Sequence, residues 1–238
     1  MGDVRYPVLE LRQYLLYPGQ RDVLIDIFDR EFVETQEAEG MAVIGQFRDL
    51  DRPDRFVWLR GFADMDIRAR GLTAFYTGPA WKEHGRAAAA TMIDSDDVLL
   101  LRPAAGHAGF PEPAAQRPPR HASQDDSPTS RLLVTVCLRD HPFDDEFAAS
   151  FADGIRPRLA QAGAAPLAWF QTEYAENNYP ALPVRTGVHA FVWFTLFPDE
   201  DRLASHLDWL AGQDELSHPL PGQTQRLRLA PTARSLLR

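Results

Sequence analysis

Trp58 and Arg60 stand two residues apart in the run Phe56-Val57-Trp58-Leu59-Arg60-Gly61-Phe62, so on an extended strand both side chains leave the same face. The indole can wall an apolar pocket, and the guanidinium can hold an enolate or a carboxylate. Farther along, Phe75, Tyr76, Trp81 and His84 lie on a helical segment expected to fold back over that strand. There Tyr76 and His84 can supply an acid and a base. The catalytic candidates are therefore His84, Tyr76 and Arg60, with Trp58, Trp81 and Phe75 as substrate-binding wall. A plainer reading fits the same spacing: the aromatics form core, His84 caps or packs, and Arg60 pairs with Asp64 or Asp94. Asp94-Ser95-Asp96-Asp97 reads as turn chemistry before a strand.

A second polar set surrounds the long connection over residues 175–187. Glu173, Asn177, Asn178 and Arg185 belong to it, with His189 and Trp193 on the strand that follows. Long ordered loops in small domains often bind ligands, which makes Glu173, Asn178, Arg185 and Trp193 further substrate-binding candidates. Asparagines also stabilise loops through backbone hydrogen bonds. No His/Asp/Glu spacing suggests a metal site, and no glycine-rich phosphate loop, dinucleotide fingerprint or nucleophile elbow occurs. No cofactor is expected. Heme stays open, because a single axial histidine leaves no motif.

The elements that must position these residues come in two sets. Phe191-Val192-Trp193-Phe194-Thr195-Leu196-Phe197 repeats four of the seven letters of the Phe56–Phe62 run 135 positions later. Both are aromatic and β-branched, as expected of inner strands covered on two sides. Around the first, strands are expected at Val8–Leu16, Met41–Phe47 and Val98–Arg102. Helices are expected over 20–39, closed by Gly40, and over 66–91, interrupted at Gly78-Pro79. Around the second, Leu132–Leu138, Pro166–Tyr174 and Gln225–Leu229 read as strands, and 144–162 and 199–213 as helices, the first ended by Gly163. Each set has the order β-α-β-β-α-β. The fold class is thus α+β, with two tandem ferredoxin-like modules at 1–104 and 130–238. Residues 105–129 hold five prolines and few large apolar residues, which predicts a linker, with His107 and His121 solvated.

Composition narrows the partners. The 238 residues carry a net charge of −9, which disfavours nucleic acid and anionic membranes. No apolar run approaches the length of a membrane span, and the N-terminus lacks the pattern of a signal peptide, so a cytoplasmic protein is expected. Cys137 is the single cysteine; its apolar surroundings predict a buried, unreactive thiol. Each two-faced central strand needs a second sheet as cover, and pairing of the modules within the chain, with further self-association such as a homodimer, is expected.

The segments Glu10-Leu11-Arg12-Gln13-Tyr14, Pro18-Gly19, Gly40-Met41, Pro53 through Phe62, Phe75-Tyr76, Gly78-Pro79, Trp81, His84 and Ala90 through Asp96 resemble the NIPSNAP family, bacterial branch. Thr172-Glu173 and Asn177 through Arg185 resemble the second half of its two-domain members. The sequence departs from the pattern at Gly85, Ala89 and Asp97. The resemblance implies a dimeric α/β-barrel fold, whose relatives include cofactor-free monooxygenases, cyclases, isomerases and heme enzymes. The expected function is a small-molecule enzyme without a tightly bound cofactor, of monooxygenase, isomerase, lyase or cyclase type, acting on an apolar or aromatic metabolite. The alternative is a non-catalytic ligand-binding or protein-interaction module.

Overall fold

Side-chain alternation along the strands decides what each face must meet. In β1 (Val8–Leu16), Leu9 and Leu11 point one way while Glu10, Arg12 and Tyr14 point the other, and all five are buried. The computed structural model describes residues 5–104, 109–113, 116–213 and 223–238. It resolves the two faces as the inside of a closed barrel and the underside of a helical layer.

Seven more strands complete the barrel: β2 (Ala42–Asp49), β3 (Arg55–Phe62), β4 (Met92–Pro103), β5 (Arg131–Arg139), β6 (Ala168–Thr172), β7 (His189–Phe197) and β8 (Gln223–Pro231). They run in the order β1-β3-β2-β8-β5-β7-β6-β4, with β4 returning to β1. Within the first four strands the neighbours run 4-1-3-2, and within the last four they run 8-5-7-6, the same order. The halves join through β2 with β8 and β4 with β6. Pairing thus closes within one chain, as expected. Leu11, Val57, Leu59, Leu99, Val134, Val192 and Phe194 are among the side chains that fill the interior.

The helices are α1 (Arg21–Ile27), α2 (Val33–Glu37), α3 (Met65–Thr77), α4 (Pro79–Ala89), α5 (Asp145–Ser150), α6 (Arg156–Gln161) and α7 (Glu200–Ala211). A π-helical turn, Phe28–Phe32, joins α1 to α2, and another, Phe151–Ile155, joins α5 to α6. Such turns widen a helix by one residue and often mark functional sites. Asp64 caps α3 by accepting from Ile67 N at 2.6 Å, and Asp199 caps α7 by accepting from Arg202 N at 2.8 Å. Gly40 and Gly163 end the preceding helical stretches at φ of 80° and 74°, a conformation that costs glycine little. No helix among the described residues is long and apolar enough to cross a membrane.

Three expectations need correction. β4 begins at Met92, so Asp94 through Asp97 lie inside a strand, in a stretch where the pairing with β1 shifts register. The turn-like signal is real but local, since Asp94 Oδ1 accepts from Asp96 N at 2.8 Å. β6 is shorter than Pro166–Tyr174, because the chain leaves the sheet after Thr172. The connecting segment is also no loose tether. Phe110 is buried at one barrel end against Phe170 and Phe194, and Arg117 donates to the carbonyls of Val43 and Arg234. A few anchors suffice where composition averages them away. His121 is exposed, and His107 lies outside the described residues.

Candidate functional site

Because Glu10, Arg12 and Tyr14 alternate on one face of β1, and Trp58 and Arg60 on the same face of β3, the strand pairing brings them together. Glu10 stands opposite Arg60, and Arg12 opposite Trp58. Arg68 reaches in from the first turns of α3. The Glu10 carboxylate then holds three guanidiniums: Arg12 Nη1 at 2.9 Å, Arg60 Nη2 at 2.7 Å and Arg68 Nε at 2.8 Å. All four side chains are fully buried. Burial alone would raise the Glu10 pKa, but Arg60, Arg12 and Arg68 outweigh it and hold the carboxyl well below its usual range.

Three cations against one anion leave a buried surplus of two positive charges. Neutral acceptors absorb part of it. Gln36 Oε1 accepts from Arg60 at 2.9 Å, Asn177 and Asn178 Oδ1 accept from Arg68 at 2.9 and 3.0 Å, and Tyr14 Oη accepts from Arg12 Nε at 3.0 Å. Arg12 Nη2, Arg68 Nη2 and Trp58 Nε1 find no partner among the described residues. Buried donors left open are costly, about 1–3 kcal/mol each. Arg60 also lies over the Trp58 ring, its guanidinium carbon 4.8 Å from the ring centroid.

Beside this cluster, between the sheet and α1 through α4, is a cavity of about 160 Å³. Tyr14, Trp58, Phe28, Phe32, Phe75, Tyr76 and Trp81 give it aromatic walls, and Gln36 adds an amide. The half-exposed Ser95 and Met92 and the exposed Ala89 mark its mouth. The Tyr14 hydroxyl accepts from Arg12, so its own proton is free to donate. Burial raises the Tyr76 pKa, with Arg60 and Arg12 offsetting only part of the effect, so Tyr76 is a neutral donor at physiological pH. Two tyrosines thus border an apolar space with positive charge behind them, an arrangement suited to an oxyanion.

Of the sequence-based candidates, Trp58, Phe75, Tyr76 and Trp81 line this cavity, and Arg60 stands behind it. Arg60 pairs with Glu10, not with Asp64 or Asp94. His84 is not among the lining residues. It is partly exposed and faces Glu31 of the π-helical turn and Glu83 at 3.6 and 3.8 Å. One turn separates Trp81 from His84, but that rotation carries the imidazole past the edge of the wall. Asn178 binds Arg68 and the Met65 carbonyl. Glu173 and Arg185 border a separate hollow beneath the 173–188 loop, with Tyr174 and His189, whose Oη and Nδ1 are 2.8 Å apart. Trp193 packs on Phe151 in the second half, ring centroids 5.3 Å apart. The structure does not bring these three to the cavity.

Sequence reasoning passed over Glu10, Arg12, Tyr14, Arg68 and Gln36 as site residues. A signal for the first two was present: ionisable side chains on the face of an inner strand that helices must cover. Two of the departures noted above flank the same cavity. Ala89 lines its mouth, and Gly85 lies under Trp81, where an added Cβ would sit 2.6 Å from the indole. Asp97 pairs with Arg185 at 3.3 Å.

Residues 9–106 match the family model of NIPSNAP. The first half of the chain carries a NIPSNAP domain. Among solved structures, a protein from Fusobacterium nucleatum described as a candidate monooxygenase is similar over 98% of this chain and 94% of its own, at 11% identity and a TM-score of 0.57. One from Lactobacillus acidophilus, described in the same way, covers 95% and 94% at 10% identity and a TM-score of 0.55. Both likenesses extend across the NIPSNAP domain and the second half, and they concern the fold. A NIPSNAP-like domain protein from Burkholderia xenovorans is 25% identical over 44% of this chain and 90% of its own, with a TM-score of 0.40. No curated protein matches the sequence.

Proposed function

We propose that the protein is a small-molecule enzyme that takes an apolar or aromatic metabolite with an acidic O–H into the cavity of its NIPSNAP domain and holds it there as the oxyanion. The buried surplus of positive charge behind Tyr14, Trp58 and Tyr76 carries this reading. Negative charge on a substrate oxygen accepts from the two phenols, while the aromatic walls exclude water and strengthen every electrostatic interaction. No carboxylate or imidazole lines the cavity among the described residues, so the site favours substrates acidic enough to ionise in its field, with the proton passing to solvent at the mouth. An enolate or phenolate so held is electron-rich at carbon, the common starting point for cofactor-free monooxygenase, isomerase, lyase and cyclase chemistry. The candidate monooxygenases that share the fold agree with this class by analogy. The reading includes two tandem ferredoxin-like modules in one chain, the first catalytic and the second its complement, and no tightly bound cofactor. No imidazole lines this cavity among the described residues to serve as an axial heme ligand.

Nitrophenol tests the proposal, because its visible absorption reports ionisation. Bound probe should ionise at a pH at least about one unit lower than free probe, a tenfold preference for the anion. Tyr14→Phe and Tyr76→Phe should each weaken that preference, and for a true substrate each should lower kcat by about 100-fold, the scale for losing one oxyanion donor. A probe that stays outside the cavity, or binds as the neutral phenol, sinks the oxyanion reading. Anion binding with no turnover of any enol or phenol tried would favour the ligand-binding module.

A further inference from the structure

The cavity belongs to the first half, yet one of its walls does not. Among the described lining residues, Leu182 alone comes from the second half. The strand order explains how it arrives. β6 pairs with β4, Leu101 opposite Thr172, so the loop that leaves β6 emerges beside the first half's helices. Its ends are tied to β4, Glu173 N donating to Leu100 O and Arg185 N to Val98 O, each at 2.9 Å. Its crest grips α3: Asn177 and Asn178 accept from Arg68, Asn178 Nδ2 donates to Met65 O at 2.6 Å, and Tyr179 stacks on Tyr76 at 5.9 Å and 22°. Leu182 itself is pinned from both sides. Its N–H donates to Tyr179 O at 3.1 Å, and its carbonyl accepts from Asn177 Nδ2 at 2.9 Å. Its half-exposed side chain joins the apolar cluster of the first half.

We infer that Leu182 is a specificity-determining residue, held by the second half as the wall that limits the cavity to a single-ring oxyanion such as a phenolate or a monocyclic enolate. This rests on the oxyanion reading above and deepens it. The volume supplies the size class: about 160 Å³ is close to the cavity of roughly 150 Å³ that accommodates benzene in an engineered protein. A fused two-ring ligand needs more room. Phe28, Phe32, Phe75 and Trp58 cannot yield it, being packed against one another and buried. Leu182, partly exposed and on a loop, can be changed without opening the core.

Nitrophenol and a nitronaphthol, titrated by absorbance and by quenching of tryptophan fluorescence, are the probes. Wild type should prefer nitrophenol. Leu182→Ala should shift the preference toward the naphthol by about tenfold or more, within the range that one or a few methylenes command in an apolar pocket. Leu182→Trp should weaken nitrophenol by about tenfold while the naphthol stays excluded. Both variants should unfold thermally near wild type, since the side chain is half-exposed. A ring-size preference that neither substitution moves overturns the role of Leu182 and leaves the oxyanion site standing. Failure of nitrophenol to bind wild type overturns both.

Discussion

At matching places in the two halves, the helix-covered face of the sheet carries opposite chemistry. Opposite Arg12 in β1 stands Trp58, and opposite Glu10 stands Arg60; in the second half Thr135 faces Trp193 and Leu133 faces Thr195. Tyr14, paired with Phe56, corresponds to Cys137, paired with Phe191. Arg68, four residues after the cap Asp64, corresponds to Leu203, four after the cap Asp199. Every ion of the first cluster therefore has an uncharged counterpart, while the tryptophan and both phenylalanine-led π turns remain. In the second half, rings take the space: Phe151 packs on Phe191 at 4.8 Å and on Trp193 at 5.3 Å. Cys137 is buried there, its pKa pushed up to about 11 by burial, so it stays a thiol. One backbone plan accepts both solutions, so the fold does not require the ions. Buried ion clusters are weak contributors to stability, and this one stands beside the aromatic cavity of the first half, as the proposed function requires.

The connections differ in the same sense. β2 and β3 are joined by a short turn over 50–54, which touches the second half at β8, where Asp51 pairs with Arg228. Sixteen residues join β6 to β7, long enough to reach the other half's helices and add Leu182 to the cavity wall. One half thus holds the charge, and the other supplies the cover.

Removing Glu10 should break this comparison most violently. Glu10→Leu places the second half's residue in the first half and leaves three guanidiniums without their anion. The expected loss is about 3–5 kcal/mol, typical of an uncompensated buried charge, read by chemical denaturation. The quadruple variant Glu10→Leu, Arg12→Thr, Arg60→Thr, Arg68→Leu copies the whole second-half set. It should recover most of that stability and bind no anionic probe. If the quadruple variant unfolds as easily as the single one, the ions are structural and the contrast between the halves loses its functional meaning.

Acid should separate the halves next. His206, in the second half, is buried between Phe197 and Trp209, and burial, with Arg226 nearby, lowers its pKa from 6.5 to about 4. The unfolded chain therefore takes up this proton first, and stability should fall as pH drops from about 6.5 toward 4. Glu10 acts lower. Its folded pKa is depressed, so its contribution is complete above the ordinary value of 4.5 and is lost as pH falls below it. Thermal melts from pH 7 to 3 should show His206→Gln removing the upper slope and Glu10→Gln removing the lower one. The same slope in both variants would show that neither group controls it.

Much of this architecture was legible in the chain. The echo of Phe56–Phe62 in Phe191–Phe197, the helix-ending Gly40 and Gly163, and the two-residue spacing of Trp58 and Arg60 all follow from local geometry, which sequence records directly. What stayed hidden depended on partners far away. Nothing local says that Glu10 meets Arg68, 58 residues on, or that Asn177 completes their coordination across the barrel seam. Spacing along a helix gives His84 a face but not what lies beyond it; in the fold it meets Glu31 and Glu83 instead of the cavity.

The mildest change tests the wall that belongs wholly to the first half. Gly85 is buried in α4, and a Cβ there would fall 2.6 Å from two Trp81 ring atoms, closer than real contacts allow. The helix backbone cannot move cheaply, but the indole can turn about its own side-chain bonds, and the open volume beside it is the cavity. Gly85→Ala should therefore press Trp81 inward and weaken nitrophenol by about tenfold, within the range that one methylene commands in an apolar pocket. Helix propensity acts the other way on stability, favouring alanine by about 1 kcal/mol, so the two effects should nearly cancel in a thermal melt. Binding would then fall while unfolding hardly changes, and Trp81 fluorescence should shift as its surroundings are rearranged. Unaltered probe affinity with a shifted Trp81 spectrum would mean that the indole moved outward, and that the wall set by Leu182 alone governs entry.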